Sequence, residues 1–393
     1  MSGFELDVSA TLGALQPSMT LGITAKAKSL KAAGRDVASM CAGEPDFDTP
    51  EHIKAAAIAA LEAGDTKYTP GSGRMDLREA IAEKLRTENS VPTTADQVVV
   101  APGAKFSVFS TIVALCSAGD EVLIPAPFWL SYAEMVTAAG AKAVIVPTSG
   151  ADGFRLDADV LRGCITSATK LLILNSPSNP TGVVHPRETI ETIAELAIAN
   201  SFMVLADEIY ERLVYDEGYE HVSIASLSSE MAERTITVNG FSKAFAMTGW
   251  RLGYAAAPKW LISRIAALQS HSTSGPTSFA QAGALVALTG EQDCIEAMRQ
   301  AFATRRDRIY ELLSAIPGVV VSKPRGAFYI FPDISASGLD SMSFAERLLD
   351  DYDVAVIPGK PFAADGHVRL SYACSMETIE TACSRMADFC ASL

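Results

Sequence analysis

The 393-residue sequence predicts an α/β fold: a large domain with a mostly parallel seven-stranded sheet between helices, followed by a smaller α+β domain. Three observations predict it. From about residue 97 to 257, short β-branched runs alternate with longer helical patterns, the signature of a parallel sheet flanked by helices. Four of those runs lead straight into polar residues, as ligand-binding edges of open α/β sheets do. After a long helical stretch ending near Ser314 the texture changes to short strands and isolated helices, which marks a second layer system.

The candidate strands of the large sheet, in order, are Val98–Ala101, Glu121–Pro125, Ala143–Pro147, Leu171–Asn175, Met203–Ala206, Thr235–Val238 and Gly253–Ala256. Helices are predicted at Ile53–Ala63, at Leu77–Thr87, at Ala104–Cys116 after the Gly103 turn, and at Glu188–Asn200, where Ile190, Ile193, Leu196 and Ala197 share one face. Lys259–His271, Ser278–Leu288 and Gln292–Ser314 follow as helices that carry the chain towards another layer. The smaller domain then reads as strands at Val319–Ser322, Ala327–Phe331, Val354–Pro358 and Val368–Tyr372 with helices at Phe344–Asp351 and Met376–Ala391. Residues 1–50 have Pro and Gly turns but no strand series of their own, so they are expected to pack with the small domain. The predicted division is 1–50 for this segment, 51–290 for the large domain and 291–393 for the small one.

Composition narrows the function. A formal net charge of −14 and the lack of any basic run argue against nucleic-acid binding, which depends on clustered Lys and Arg. No apolar run approaches the ~18–20 residues of a membrane span, and the acidic stretch Met1–Asp7 does not look like a secretory leader. Seven scattered cysteines without a Cys-x-x-Cys pair fit free thiols in a reducing cytoplasm. The five histidines show no metal-ligand spacing, so no metal is expected.

Chemistry gathers at the strand ends. Ser242 and Lys243 are followed by Arg251: a lysine can condense with an aldehyde, and a hydroxyl and a guanidinium supply donors for a phosphate. Gly103-Ala104-Lys105 lies between a strand and a helix, where free backbone N–H groups and the dipole attract anions, although many such turns contain glycine for backbone reasons alone. Pro127-Phe128-Trp129-Leu130-Ser131-Tyr132 brings aromatic rings to the same edge, either to stack on a planar ligand or to pack as core. Pro turns around Asn179 hold its amide rigidly. Asp207, at the end of an apolar strand with Tyr210 three residues on, is a carboxylate that needs a positive partner if buried. A Walker-type reading of Asp207-Glu208 lacks its Gly-x-x-x-x-Gly-Lys companion. In the small domain Arg369 interrupts an apolar strand and fits either a carboxylate clamp or a structural ion pair.

Taken in order, Gly103-Ala104-Lys105, Trp129, Asn179, Asp207, Lys243 and Arg369 resemble the class I aminotransferases of pyridoxal phosphate (PLP) fold type I, over nearly the whole chain. The resemblance points to the bacterial aspartate/prephenate branch through Gln16-Pro17-Ser18, Ala25-Lys26-Ala27, Gly43-Glu44-Pro45-Asp46-Phe47-Asp48-Thr49-Pro50, Tyr68-Thr69-Pro70, Asn179-Pro180-Thr181-Gly182 and Ala244–Arg251. It implies that Lys243 holds PLP through a Schiff base and moves the substrate proton, while Asp207 pairs with the pyridine nitrogen. Tyr210 and Asn179 would address the ring hydroxyl, and Trp129 would stack on the ring. Gly103, Ala104, Lys105, Ser242 and Arg251 would hold the phosphate, joined by Tyr68 from the second subunit of a homodimer. Arg369, with Gly43, Trp129 and Asn179 beside it, would receive the substrate.

The implied activity is amino transfer between an L-amino acid, aspartate first, and 2-oxoglutarate. An aromatic, prephenate or alanine-type aminotransferase is the alternative, and a PLP β-lyase a further one. The substrate choice turns on a departure: relatives place a cation on the helix after the phosphate turn or arginines near the N-terminus, whereas here stand Val113 and Val8-Ser9-Ala10-Thr11-Leu12. A buried distal carboxylate without a cation is costly, so either another residue supplies the charge or the donor is less acidic.

Overall fold

Alternate positions along the central strands feed different core layers, and this alternation builds the large sheet. Val99, Val122, Ile124, Leu171, Ile173, Leu205 and Ile236 pack into one apolar layer with Val108 and Ile112. Their neighbours Leu123, Leu172, Leu174 and Val204 turn to the opposite layer, against Ile190 and Ile193. Strands buried on both faces read as unbroken apolar runs, which is why Leu171–Leu174 shows no polar alternation. The computed structural model describes residues 8–16 and 19–393. The stretch Met1–Asp7 and the Pro17-Ser18 part of the first motif lie outside the described residues.

Twelve strands are described. They are β1 (Ala38–Ser39), β2 (Val98–Ala101), β3 (Glu121–Pro125), β4 (Lys142–Val146), β5 (Thr169–Asn175), β6 (Met203–Asp207), β7 (Thr235–Gly240), β8 (Gly253–Ala256), β9 (Tyr329–Ile330), β10 (Val354–Ala355), β11 (Ile357–Pro358) and β12 (Val368–Ser371). The large sheet has seven strands in the order β2-β8-β7-β6-β5-β3-β4. All its pairs are parallel except those of β8, which runs antiparallel to both β2 and β7. The register aligns Asn175 with Asp207, so two polar side chains stand next to one another at the carboxyl edge. Because β8 runs the other way, its first residue, Gly253, lies at that same edge. A Cβ there would come within 2.3 Å of the Ala104 nitrogen, so only glycine lets the strand approach the start of the helix Ala104–Leu115.

The predicted strands of this sheet match the observed ones to within two residues at each end. The small domain departs more. Val319–Ser322 is no strand: Val320 makes a single antiparallel bridge to Asp333. Val354–Pro358 splits, because the chain changes sheets at Val356: β10 pairs in parallel with β1, while β11 joins β12 and β9 in a three-stranded antiparallel sheet. The N-terminal stretch thus has a strand after all, of two residues, and a helix at Met19–Ala32. Its Ala27 and Val37 share an apolar cluster with Phe331, Ala355, Ile357 and Phe362. Helices at Ser131–Ala138 and Ala158–Cys164 were not foreseen; the second starts where Asp157 accepts hydrogen bonds from the Asp159 and Val160 N–H groups, a side-chain cap. Among the described residues no helix is long and apolar enough to cross a membrane.

Candidate active site

One cavity of about 660 Å³ opens at the carboxyl edge of the large sheet, between it and the small domain. Its lining includes Gly43, Ala104, Lys105, Trp129, Asn179, Asp207, Tyr210, Ser242, Lys243, Arg251 and Arg369. Thus Gly43 and Arg369, 326 positions apart in sequence, share one space. Two predicted residues do not line it. Gly103 sits just behind as the N-cap of the helix Ala104–Leu115, with φ of 89°, where a Cβ would meet the Arg251 guanidinium at 2.6 Å. Tyr68 is 97% exposed on the outside of its own chain.

Asp207 ends β6, and its carboxylate is buried. The Tyr132 hydroxyl donates to its Oδ2 at 2.6 Å and the Ile209 N–H to its Oδ1 at 3.3 Å. Burial outweighs these donors and pushes the carboxyl up to about 6. Among the described residues it has no salt bridge, so it is a buried acid that a cation would complete. Lys243 lies across the cavity, its ammonium 5.9 Å from the Tyr210 ring centre and donating to the Gly43 carbonyl. Burial, helped by the Arg369 and Arg251 charges and opposed by Glu44, lowers its pKa to about 8, so a useful fraction is free amine near neutrality.

At the start of the helix Ala104–Leu115, Lys105 and Arg251 stand together without a carboxylate partner among the described residues. Burial first, and the Arg251 charge second, depress the Lys105 ammonium. Two unneutralised cations beside free helix N–H groups make an anion site. Lys105 Nζ also lies 4.8 Å from the Trp129 ring centre. The Arg251 guanidinium is steadied by the Thr248 carbonyl at 2.8 Å.

Arg369 is buried at the small-domain side, in β12. It donates to Asn179 Oδ1 at 3.0 Å and to the Cys41 carbonyl at 3.2 Å, and its guanidinium lies 4.5 Å from the Tyr329 ring centre. These contacts are neutral, so the arginine is not half of an ion pair, and its Nε finds no partner. Among the described residues the structure shows no ion pair for Arg369, which leaves its charge open to an anion. The Asn179 N–H donates to Asn175 Oδ1 at 2.8 Å, which fixes the loop through the register neighbour of Asp207.

Several lining residues escaped the sequence. Tyr132 was only one ring in an aromatic run; it is the hydrogen-bond partner of Asp207. Tyr329 lies in an apolar strand with nothing to mark it, yet its hydroxyl is 2.9 Å from that of Tyr210. Thr24, Lys28 and Lys31 of the N-terminal helix also reach the cavity. Val113 and Val8–Leu12, which carried the substrate argument, do not line it.

A planar cationic ring with a phosphate fits this donor set: a buried carboxylate without a cation partner at one end, an unneutralised cation pair at a helix N-terminus at the other, and a lysine of lowered pKa between. The chain belongs to the class I and II aminotransferases, whose family pattern matches residues 35–386, and its cofactor is pyridoxal phosphate. It is therefore a transaminase, with an amino acid and a 2-oxo acid as substrates. Among its relatives, the aspartate aminotransferase of Bacillus sp. (strain YM-2) is 46% identical over 380 residues, covering 95% of this chain and 97% of the relative. The aspartate/prephenate aminotransferase of Thermus thermophilus is likewise 46% identical, covering 97% and 98%. The solved structure of Thermus thermophilus aspartate aminotransferase with maleate superposes with a TM-score of 0.94 at 45% identity, covering 98% of this chain and 100% of that one.

Proposed function

We propose that this transaminase takes its amino group from aspartate and passes it to 2-oxoglutarate, in two half-reactions at the one cavity. The observation that supports the chemistry best is the lowered pKa of Lys243, about 8, in a cavity whose two ends hold Asp207 and Arg369. The names of the relatives support the donor.

When bound, PLP supplies an electrophilic aldehyde and a ring that takes up the electron pair released when the substrate Cα–H bond breaks. The protein does the rest. The Lys243 amine would hold the cofactor and, once released, would accept the Cα proton of the substrate and return it from the same face. Asp207 holds the proton on the ring nitrogen, and Tyr132 holds Asp207. Tyr210, positioned by Tyr329, and Asn179 donate towards the ring hydroxyl. Ala104 N–H, Lys105, Ser242 and Arg251, around the Gly103 turn, would hold the phosphate, and Trp129 would pack on the ring. Arg369 takes the α-carboxylate, so the Cα–H bond is presented to Lys243 rather than to water.

In this reading the N-terminal segment (1–50) and the small domain (291–393) close over the amino acid bound at the large domain (51–290). The working unit is a homodimer in which the exposed Tyr68 completes the phosphate site of the other subunit. Seven free thiols support a cytoplasmic setting. A second substrate class, an aromatic amino acid as donor or prephenate as acceptor, is favoured by the partly apolar lining of Ile209, Tyr210 and Trp129. Half-reaction rates with aspartate, phenylalanine, glutamate and alanine separate the two readings. Aspartate should be fastest, and failure to react with it would exclude the leading one.

A further inference from the structure

The cavity is lined by six cations, Lys28, Lys31, Lys105, Lys243, Arg251 and Arg369, against two carboxylates, Glu44 and Asp207. Four of the six have work to do: Lys243 as the reactive amine, Lys105 and Arg251 at the helix N-terminus, Arg369 at the α-carboxylate. Glu44 is engaged by the Thr248 hydroxyl at 2.8 Å. Lys28 and Lys31 are left over, and neither has an ion pair or hydrogen bond among the described residues.

Their position is built by the helix Met19–Ala32. Thr24, Ala27, Lys28 and Lys31 all line the cavity, and spacings of three and four residues put them on one helix face. The other contacts of this segment hold that face in place. Ala27 is buried in the cluster with Phe331 and Phe362, Lys26 pairs with Asp350 at 2.7 Å, and Arg35 pairs with Asp353 at 2.6 Å. Lysines on a helix face normally find a carboxylate or point to bulk water. Lys28 and Lys31 are exposed, yet both also line the same cavity as Arg369 without a carboxylate partner among the described residues, and a field of that sign selects substrates with a second negative charge.

We propose that Lys28, together with Lys31, forms the subsite for the distal carboxylate of a dicarboxylic amino acid or 2-oxo acid. This supplies the cation missing at Val113 and in Val8–Leu12, and it places the selectivity of the enzyme on the N-terminal helix. The inference rests on the aspartate reading given above.

The test compares wild-type holoenzyme with the K28M/K31M double variant and the K28R/K31R variant. The ratio of kcat/KM for aspartate to that for alanine should fall at least about tenfold in K28M/K31M and recover in K28R/K31R, because the discriminating interaction is a charged contact to the extra carboxylate. Binding of succinate and of butyrate, followed through the cofactor absorbance, should show the same loss for succinate alone. An unchanged ratio, or equal losses for aspartate and alanine, would overturn the subsite. If instead the wild-type enzyme shows no preference for aspartate over alanine, the aspartate reading itself falls, and the subsite with it.

Discussion

Asp207 and Lys243 have opposite needs, and the same burial sets both: it pushes the carboxyl up to about 6 and the amine down to about 8. The Tyr132 hydroxyl works against burial by stabilising the ionised carboxylate. Removing it in Tyr132→Phe should raise the Asp207 pKa further, so the acidic limb of the kcat–pH profile moves to higher pH and kcat near neutrality drops about ten- to hundredfold. For Lys243, cofactor attachment to the cofactor-free protein should speed up as pH rises through about 8 and level off above it. Arg369 is one of the charges that depress Lys243, so Arg369→Met should move that midpoint to higher pH; a stopped-flow absorbance series checks the direction. Lys243 was legible in the sequence because Ser242 and Arg251 flank it, and Asp207 because it ends an apolar run. Tyr132 and Tyr329 were not. Their roles come from side chains meeting across elements, and no local pattern encodes that.

The elements of the site are held by close backbone approaches as much as by side chains. β8 can lie against the turn before the helix Ala104–Leu115 only because Gly253 has no Cβ. Gly253→Ala should force the strand and the helix start apart, lower stability by about 1–3 kcal/mol, and weaken cofactor binding through the displaced Ala104 N–H. Thermal midpoints and a PLP titration of the same variant measure the two effects. The large sheet was legible because its central strands are buried on both faces, read as apolar runs and are separated by helices. The small-domain strands were less so: two-residue pairings such as β1 with β10 carry no period, and Val354–Pro358 reads as one strand although it serves two sheets. The helix Met19–Ala32 hid for a different reason, since its cavity face is polar and its buried face small.

At the scale of the whole molecule, Tyr68 divides the account from any monomeric one. It stands outside its own cavity, so if it completes the partner subunit's phosphate site, a dimer of Lys243→Ala and Tyr68→Ala chains has one fully intact site. Mixing the two inactive or impaired proteins after reversible dissociation should restore about one quarter of wild-type activity, and no gain over the sum of the parents would refute the shared site. The chemistry of that site is tested most directly by supplying aspartate and 2-oxoglutarate to wild-type enzyme and to Lys243→Ala, and measuring oxaloacetate and glutamate together. Equal amounts of both products from the wild type, with turnover lowered about 10²–10⁴-fold or more in the variant, is the predicted result. Failure of the wild type to form oxaloacetate, or undiminished turnover without Lys243, would contradict the account.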